Sequence, residues 1–448
     1  MDKITFASAT SAGHTVVFQD WNVNAAGTFI EVQAANSGHQ IITLDRNGSG
    51  RSLTLQAGTN TILNNGGGSL LVSSWISGTN VLRNAAGADS MLVVDGSGHT
   101  TIAGRGGSGG QFHLADHAGG FLSMTKLGSG TLTLGGNNTH TGTTSILAGT
   151  IRLTTPLALQ HSAFDTTGAN GAGSSLDISA AASNGTLTLG GLAGGVDLAS
   201  ANITGFPSVT NLRLNPQFGR SYTYEGAIAD GTAPRSLTKT GAGAQILSGN
   251  NTYTGATLIT AGTLIVDGSL TSAVTVNAGT FGGSGSTTGN VTVGNSAGGH
   301  DAFIAPGSSA GNFTTTGSLS LLSDATYAFE LNGTTGIADK LVANGVSLNS
   351  SAVFSFTLLG GTSGLAVNDT FTIIDNTSGG NISGEFSNLT AGGTFDAGGG
   401  LTFAVSGSPG VYGNDLILTL ETIPEPQTWA LLTLSLTTAM VLRRRRIS

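Results

Sequence analysis

The chain has no cysteine in its 448 residues, which excludes disulfides, thiolate catalysis and cysteine-built zinc or iron–sulfur sites. Charge is also scarce. Asp, Glu, Lys and Arg together make up 9%, against about 25% in ordinary soluble proteins. There are four lysines, Lys3, Lys126, Lys239 and Lys340, and six glutamates, Glu31, Glu225, Glu330, Glu385, Glu421 and Glu425. No glutamate pairs with another in a motif. The aspartates mostly sit beside glycine, as in Asp95-Gly96 and Asp267-Gly268, where turns account for them. Glycoside-cleaving chemistry needs clustered carboxylates or bases, so no enzyme and no cofactor are expected, although carboxylates distant in sequence can still meet on stacked coils. No calcium loop of the D-x-[DN]-x-[DN]-G type occurs. The net charge is −8, and without residues 424–448, which hold four Arg and one Glu, it is −11. An acidic body gives no electrostatic reason to bind nucleic acid. The start, Met1-Asp2-Lys3-Ile4-Thr5-Phe6, lacks the basic head and apolar run of an export signal.

What is abundant is glycine, 72 of 448, set among hydrophobic residues at 38%. The hydrophobic residues alternate with small polar ones: Ser52-Leu53-Thr54-Leu55, Thr131-Leu132-Thr133-Leu134, Ser175-Leu176-Asp177-Ile178, Thr186-Leu187-Thr188-Leu189 and Asn290-Val291-Thr292-Val293. A period of two is that of half-buried strands, here short and bounded by Gly, Asn and Ser. Disordered chains lack such a pattern. No convincing amphipathic helix precedes residue 424.

Residues 124–150 and 237–263 align without a gap at an offset of 113, with 16 of 27 positions identical. Within the first copy the spacing reads as strand, Gly135-Gly136-Asn137-Asn138 turn, strand, Ala148-Gly149 corner, strand. That sequence of elements suits a coil of a parallel β-helix better than a propeller blade. Asn137 and Asn138, matched by Asn250 and Asn251, are candidates for stacked ladders. At ~20–25 residues and ~4.8 Å per coil, the body would make ~17–20 coils in a rod ~80–95 Å long.

In the second copy Leu237, Thr238, Lys239, Gly241, Gly243, Leu247, Gly249, Asn251, Tyr253, Thr254, Gly255, Thr257, Gly262, Thr263 and Leu264 fill the pattern of the autotransporter-associated β-strand repeat, or passenger-associated transport repeat, which the block resembles. The first copy departs at His140 and Ile151, changes that leave the logic of the pattern intact. Tyr222 to Ile228, Ala305 to Gly311 and Phe371 to Asn376 resemble the strand leading into such a repeat and the final coils of these proteins. The resemblance implies an all-β, right-handed parallel β-helix and an extended surface or secreted passenger. A C-terminal outer-membrane barrel of alternating strands is not expected in this chain.

The chain instead ends in Pro424-Glu425-Pro426, a stretch from Gln427 to Leu442 without charge, and Arg443-Arg444-Arg445-Arg446. This resembles the PEP-CTERM sorting signal. It implies a C-terminal hydrophobic helix in the inner membrane, basic end inside, and an exosortase-type membrane sorting enzyme as partner, with an exopolysaccharide as a further one. A sorting tail serves only a body that has crossed the membrane, so the true start is expected upstream of Met1.

Other motifs carry less. Gly104-Arg105-Gly106-Gly107-Ser108-Gly109 is a chance Gly-x-Gly-x-x-Gly in a glycine-rich chain, without the strand–helix context of a dinucleotide site. His113 and His117 flank Asp116, but in a strand they stand ~13 Å apart and read as a surface pair, not a metal site. Trp21, Trp75 and Tyr253 read as fillers of coils rather than a sugar-stacking platform. The expected organisation is a β-rich region at 1–120, coils with the two repeats (124–153 and 237–266) at 121–300, further coils at 301–420 and the sorting tail at 421–448. The expected role is an exported structural or adhesin-like protein of a Gram-negative cell surface or extracellular matrix. The alternatives are a carbohydrate-binding surface protein or a β-helical polysaccharide lyase or hydrolase.

Overall fold

The computed structural model describes residues 3–423, apart from 7–13, 19–20, 23–26, 34–35, 37, 45–51, 75–77, 104–109, 170–172 and 308. Alternation of apolar and small polar residues produces short strands whose apolar side chains all turn one way. Leu53, Leu55, Leu132, Leu134, Leu176, Ile178, Leu187, Leu189, Val291 and Val293 are each at most 1% exposed. One contiguous core runs from Ile4 to Leu420.

The strands stack in parallel, coil on coil. One face begins at Ile4–Phe6 and climbs through eight strands to Gly191–Ala193. A parallel bridge from Gly194 to Tyr224 carries it on into seven more, from Ser221–Tyr224 to Val353–Leu359. The other faces are stacked alike, so the described residues form a parallel β-solenoid with fifteen rungs on this face, ~70 Å long at ~4.8 Å per rung. That is fewer rungs than expected, because coil length varies. Leu92 pairs with Asn60 below and Met124 above, 32 residues away each time, whereas Thr144 pairs with Met124 and Phe164, each 20 residues away. Leu264 meets Phe281 after only 17.

The coils do not continue to residue 420 as expected. Thr370–Asn376 pairs with Leu416–Thr422 in antiparallel fashion, and Thr402–Val405 and Thr394–Asp396 extend that hairpin sheet. Beneath it Phe354, Phe356, Phe386, Phe395 and Phe403 pack with ring centroids 5.5–5.9 Å apart. An antiparallel cap with an aromatic filling covers the apolar end that another coil would otherwise have to bury.

The two repeat copies occupy different faces. Leu122–Lys126 of the first copy lies on the face described above, but its counterpart Ser236–Lys239 lies on the face that begins at Thr186–Leu189. The repeat is therefore rotated by one face between copies. Near the Gly194–Tyr224 bridge side chains replace ladder bonds. The Gln245 amide accepts from Leu192 N–H at 2.9 Å and donates to the Leu192 and Tyr222 carbonyls at 3.0 and 3.1 Å. On the same side Arg220 lies over the Phe121 ring at 3.2 Å and donates to Thr141 Oγ1 at 2.8 Å, and Tyr222 Oη donates to the Thr141 carbonyl at 2.7 Å.

Candidate functional site

Among the positions that define the repeat are buried polar groups that bond the main chain of their own or a neighbouring coil. Lys126 and Lys239, 1% and 0% exposed, turn inward on equivalent strands. The Lys239 ammonium donates to the carbonyls of Thr240, Gly241 and Ala261 at 2.9–3.0 Å, and that of Lys126 to Leu127 and Gly128. Burial pushes both down to about 8, opposed at Lys126 by the charge of Asp95. The cage explains the glycine of the next coil. Gly262 has φ +64°, and a Cβ there would stand 2.4 Å from the Gly241 and Gly243 oxygens and 2.7 Å from Lys239 Nζ. Gly149 holds the same place over Lys126. The Lys and the Gly of the corner are thus two parts of one cation cage.

The asparagines act similarly. Asn138 accepts from Leu114 N–H at 2.9 Å and donates to the Ala158 carbonyl at 2.8 Å, tying three coils. Asn251 accepts from Ile228 N–H at 3.0 Å and donates to the Gly249 and Ser269 carbonyls. They satisfy main chain above and below rather than stacking on another Asn, so the expected Asn ladder does not form at these corners. Asp116 and Asp230 each hold the Thr of the following corner, Thr141 or Thr254, by both N–H and hydroxyl.

The two copies differ at one slot. Tyr253, fully buried, shares a 2.6 Å hydrogen bond with Thr257 Oγ1, which in turn meets Ser272 Oγ at 2.6 Å. His140, in the same slot, is also 0% exposed, but both ring nitrogens lack a partner. Burial, helped by His161, drives its pKa down to about 3. The substitution was expected to leave the pattern intact; it preserves the filling and loses the hydrogen bond.

His113 is 6% exposed, and its Nδ1, like that of His117, is buried without a partner. The expected surface pair is instead partly covered: on the strand Gly110–Ala115 His113 alternates with the inward Phe112 and Leu114, and the following coil at Gly136 lies over it. Trp21 lies 3% exposed, edge-on to Phe29 with centroids 5.7 Å apart. Trp75, the Gly104–Gly109 motif, and the whole tail, with Pro424, Glu425, Pro426, Arg443, Arg444, Arg445, Arg446 and the expected C-terminal helix, lie outside the described residues. Among the described residues no helix is long and apolar enough to cross a membrane, and no three His, Asp or Glu come together to hold a metal.

Two groups went unseen in the sequence. Gln245 fills an inward slot that Leu132 holds in the first copy, and its position between two apolar alternations was the available signal. Glu330, read as pairing with no other glutamate, and Asp339 are neighbours across a small-residue trench floored by Gly282, Ala305 and Ala328. Asp339 accepts from Glu330 N–H and Gly311 N–H, each at 2.8 Å, and burial pushes its carboxyl up to about 7.

The passenger-associated-transport-repeat family matches residues 124–153 and 237–266. No curated protein matches the chain. Among solved structures, the Haemophilus influenzae Hap adhesin aligns at 11% identity over 91% of this chain and 63% of that one, with a TM-score of 0.21, a superposition too poor to define a shared fold. The chain spans less than two thirds of that adhesin's length. The described body is thus an all-β parallel solenoid that carries two passenger-type transport repeats.

Proposed function

We propose that this protein is an exported, adhesin-like structural rod of a Gram-negative cell surface or matrix, sorted through its C-terminal tail. The observation that supports it most is that both repeat matches carry the same buried Lys and the same buried Asn bridge between coils, held next to an Asp–Thr clamp, within a long parallel stack. The Lys and Asn groups are closed to solvent, so their chemistry is architectural, and the outer faces carry small polar side chains suited to display. Right-handed winding, the hand that the repeat resemblance implies, belongs to this reading. So does the tail: Pro424-Glu425-Pro426, an uncharged stretch and Arg443 to Arg446 would anchor the body transiently in the inner membrane for an exosortase-type enzyme, with an exopolysaccharide as its neighbour outside.

The test is fractionation and surface proteolysis of cells carrying the natural gene, with and without residues 424–448. The full chain is expected at the surface and the shortened one retained in the periplasm or lost to the medium. Equal surface amounts of both would refute the sorting step. Protection of both from external protease would refute surface display altogether.

A further inference from the structure

We infer that the corner recess around His39, Ser69 and His99 is a binding subsite for an acidic polysaccharide, with a sugar carboxylate seated between the two imidazoles. Three consecutive coils place these side chains in one outward column. Gln40 pairs with Leu70, which puts His39 beside Ser69, and Ser69 pairs directly with His99. Ser69 Oγ and His39 Nδ1 are 2.7 Å apart, and His99 Nε2 lies 3.2 Å from Thr133 Oγ1. The second nitrogen of each ring, Nε2 of His39 and Nδ1 of His99, has no partner among the described residues. Beside the column the corners are Gly66-Gly67-Gly68 and Gly98, so no side chains fill the angle, and Asn65 and Ser97 complete a recess of about 610 Å³.

Its chemistry is selective. Among the described residues no carboxylate lines the recess, although the chain as a whole carries −8. Imidazole N–H groups, hydroxyls and bare main chain are hydrogen-bond donors suited to an oxyanion. At ~30 Å³ per water the space equals some twenty waters, too open for one small ion and suited to a chain lying along the rod. Among the described residues the titratable and charged groups facing the imidazoles are few. His14 bonds Gln40 Oε1 at 3.1 Å. Arg152 is tied to Asp177 at 2.9 Å, and Asp95, at the head of the corner leading to His99, accepts from Gly96 N–H. Burial, and then Arg152, hold His99 below its ordinary value. A bound carboxylate opposes that, so binding takes up a proton and strengthens as pH falls. The inference does not depend on the route of export.

The experiment is calorimetric titration of the purified full chain with oligogalacturonate, with neutral dextran and inorganic sulfate alongside. Wild type is expected to bind oligogalacturonate at about pH 5.5 and about tenfold more weakly at about pH 7.5, with His39→Gln and His99→Gln each costing about tenfold at the lower pH. Binding that is unchanged in both variants, independent of pH, or equal for dextran would overturn the proposal. So would sulfate binding as tightly as the oligomer. Should either variant fail to fold, the imidazole resonances of His99 in the wild-type protein give the second reading: they must titrate at higher pH with the oligomer present, and an unmoved titration curve refutes the site.

Discussion

Replacing His140 by Tyr should stabilise the rod, and the gain should grow in acid. In the second copy the same slot holds Tyr253, whose hydroxyl meets Thr257 at 2.6 Å. In the first, Thr144 stands in the equivalent place, bonded to Ser162 at 2.8 Å, while both His140 nitrogens are partnerless. Leaving buried polar groups unpaired costs about 1–3 kcal/mol, and a new hydrogen bond adds about 1 kcal/mol. The larger ring strains a filled core by about 1–3 kcal/mol. A net gain of about 1 kcal/mol near neutral pH follows.

The pH term is larger. His140 is held near 3 against an ordinary 6.5, so the unfolded chain binds a proton that the folded chain refuses. The stability due to neutral His140 is whole above pH 6.5 and drains away as pH falls from 6.5 towards 3. At about 1.4 kcal/mol per pH unit, about 2–3 kcal/mol is gone by about pH 4.5. His140→Tyr removes that loss. The assay is denaturant unfolding at about pH 7.5 and about pH 4.5, with hydrogen exchange of the Thr144–Ile146 amides as a local readout, since long stacks need not unfold in one step. Tyr253→His is the reciprocal control and should acquire the acid sensitivity. If His140→Tyr lowers stability at both pH values while Tyr253→His leaves it unchanged, the reasoning is wrong.

Gln245→Leu copies the residue of the first repeat into the second, yet should cost about 2–4 kcal/mol, because it strips partners from Leu192 N–H and two carbonyls; a neutral result in denaturant unfolding would mean water replaces the amide. Gly262→Ala should cost more than about 2 kcal/mol, since the residue combines positive φ with a backbone oxygen 2.4 Å from the new carbon; an unchanged melting temperature would dissolve the cation cage. For Asp339, held near 7 against 3.8, the sign is the reverse of that for His140: the folded chain keeps a proton that the unfolded chain releases. Its contribution is full below pH 3.8 and lost as pH rises through 7, so Asp339→Asn should flatten the fall in stability between about pH 4 and pH 8. Parallel pH profiles for the two proteins would contradict the shift.

The alternation of Leu, Ile and Val with Thr, Ser and Asp by itself determined the strands and their inward faces, because a period of two allows one buried face; the stacking into coils was read from the internal repeat and its resemblance to a family. Glycine and asparagine positions likewise marked the corners. Other properties depended on contacts between coils that no local window contains. Coil length swings from 32 residues to 17 because loops between faces can lengthen without disturbing the ladder, and the count of rungs follows from that. The antiparallel cap follows from the need to cover the last coil, a need that appears only once the stack exists. Tyr253 and His140 look interchangeable as buried rings; which of them finds a hydrogen-bond partner depends on a hydroxyl placed beside it by packing. The column of His39, Ser69 and His99 joins residues thirty positions apart in the chain, and only the register of neighbouring coils decides that they stand side by side.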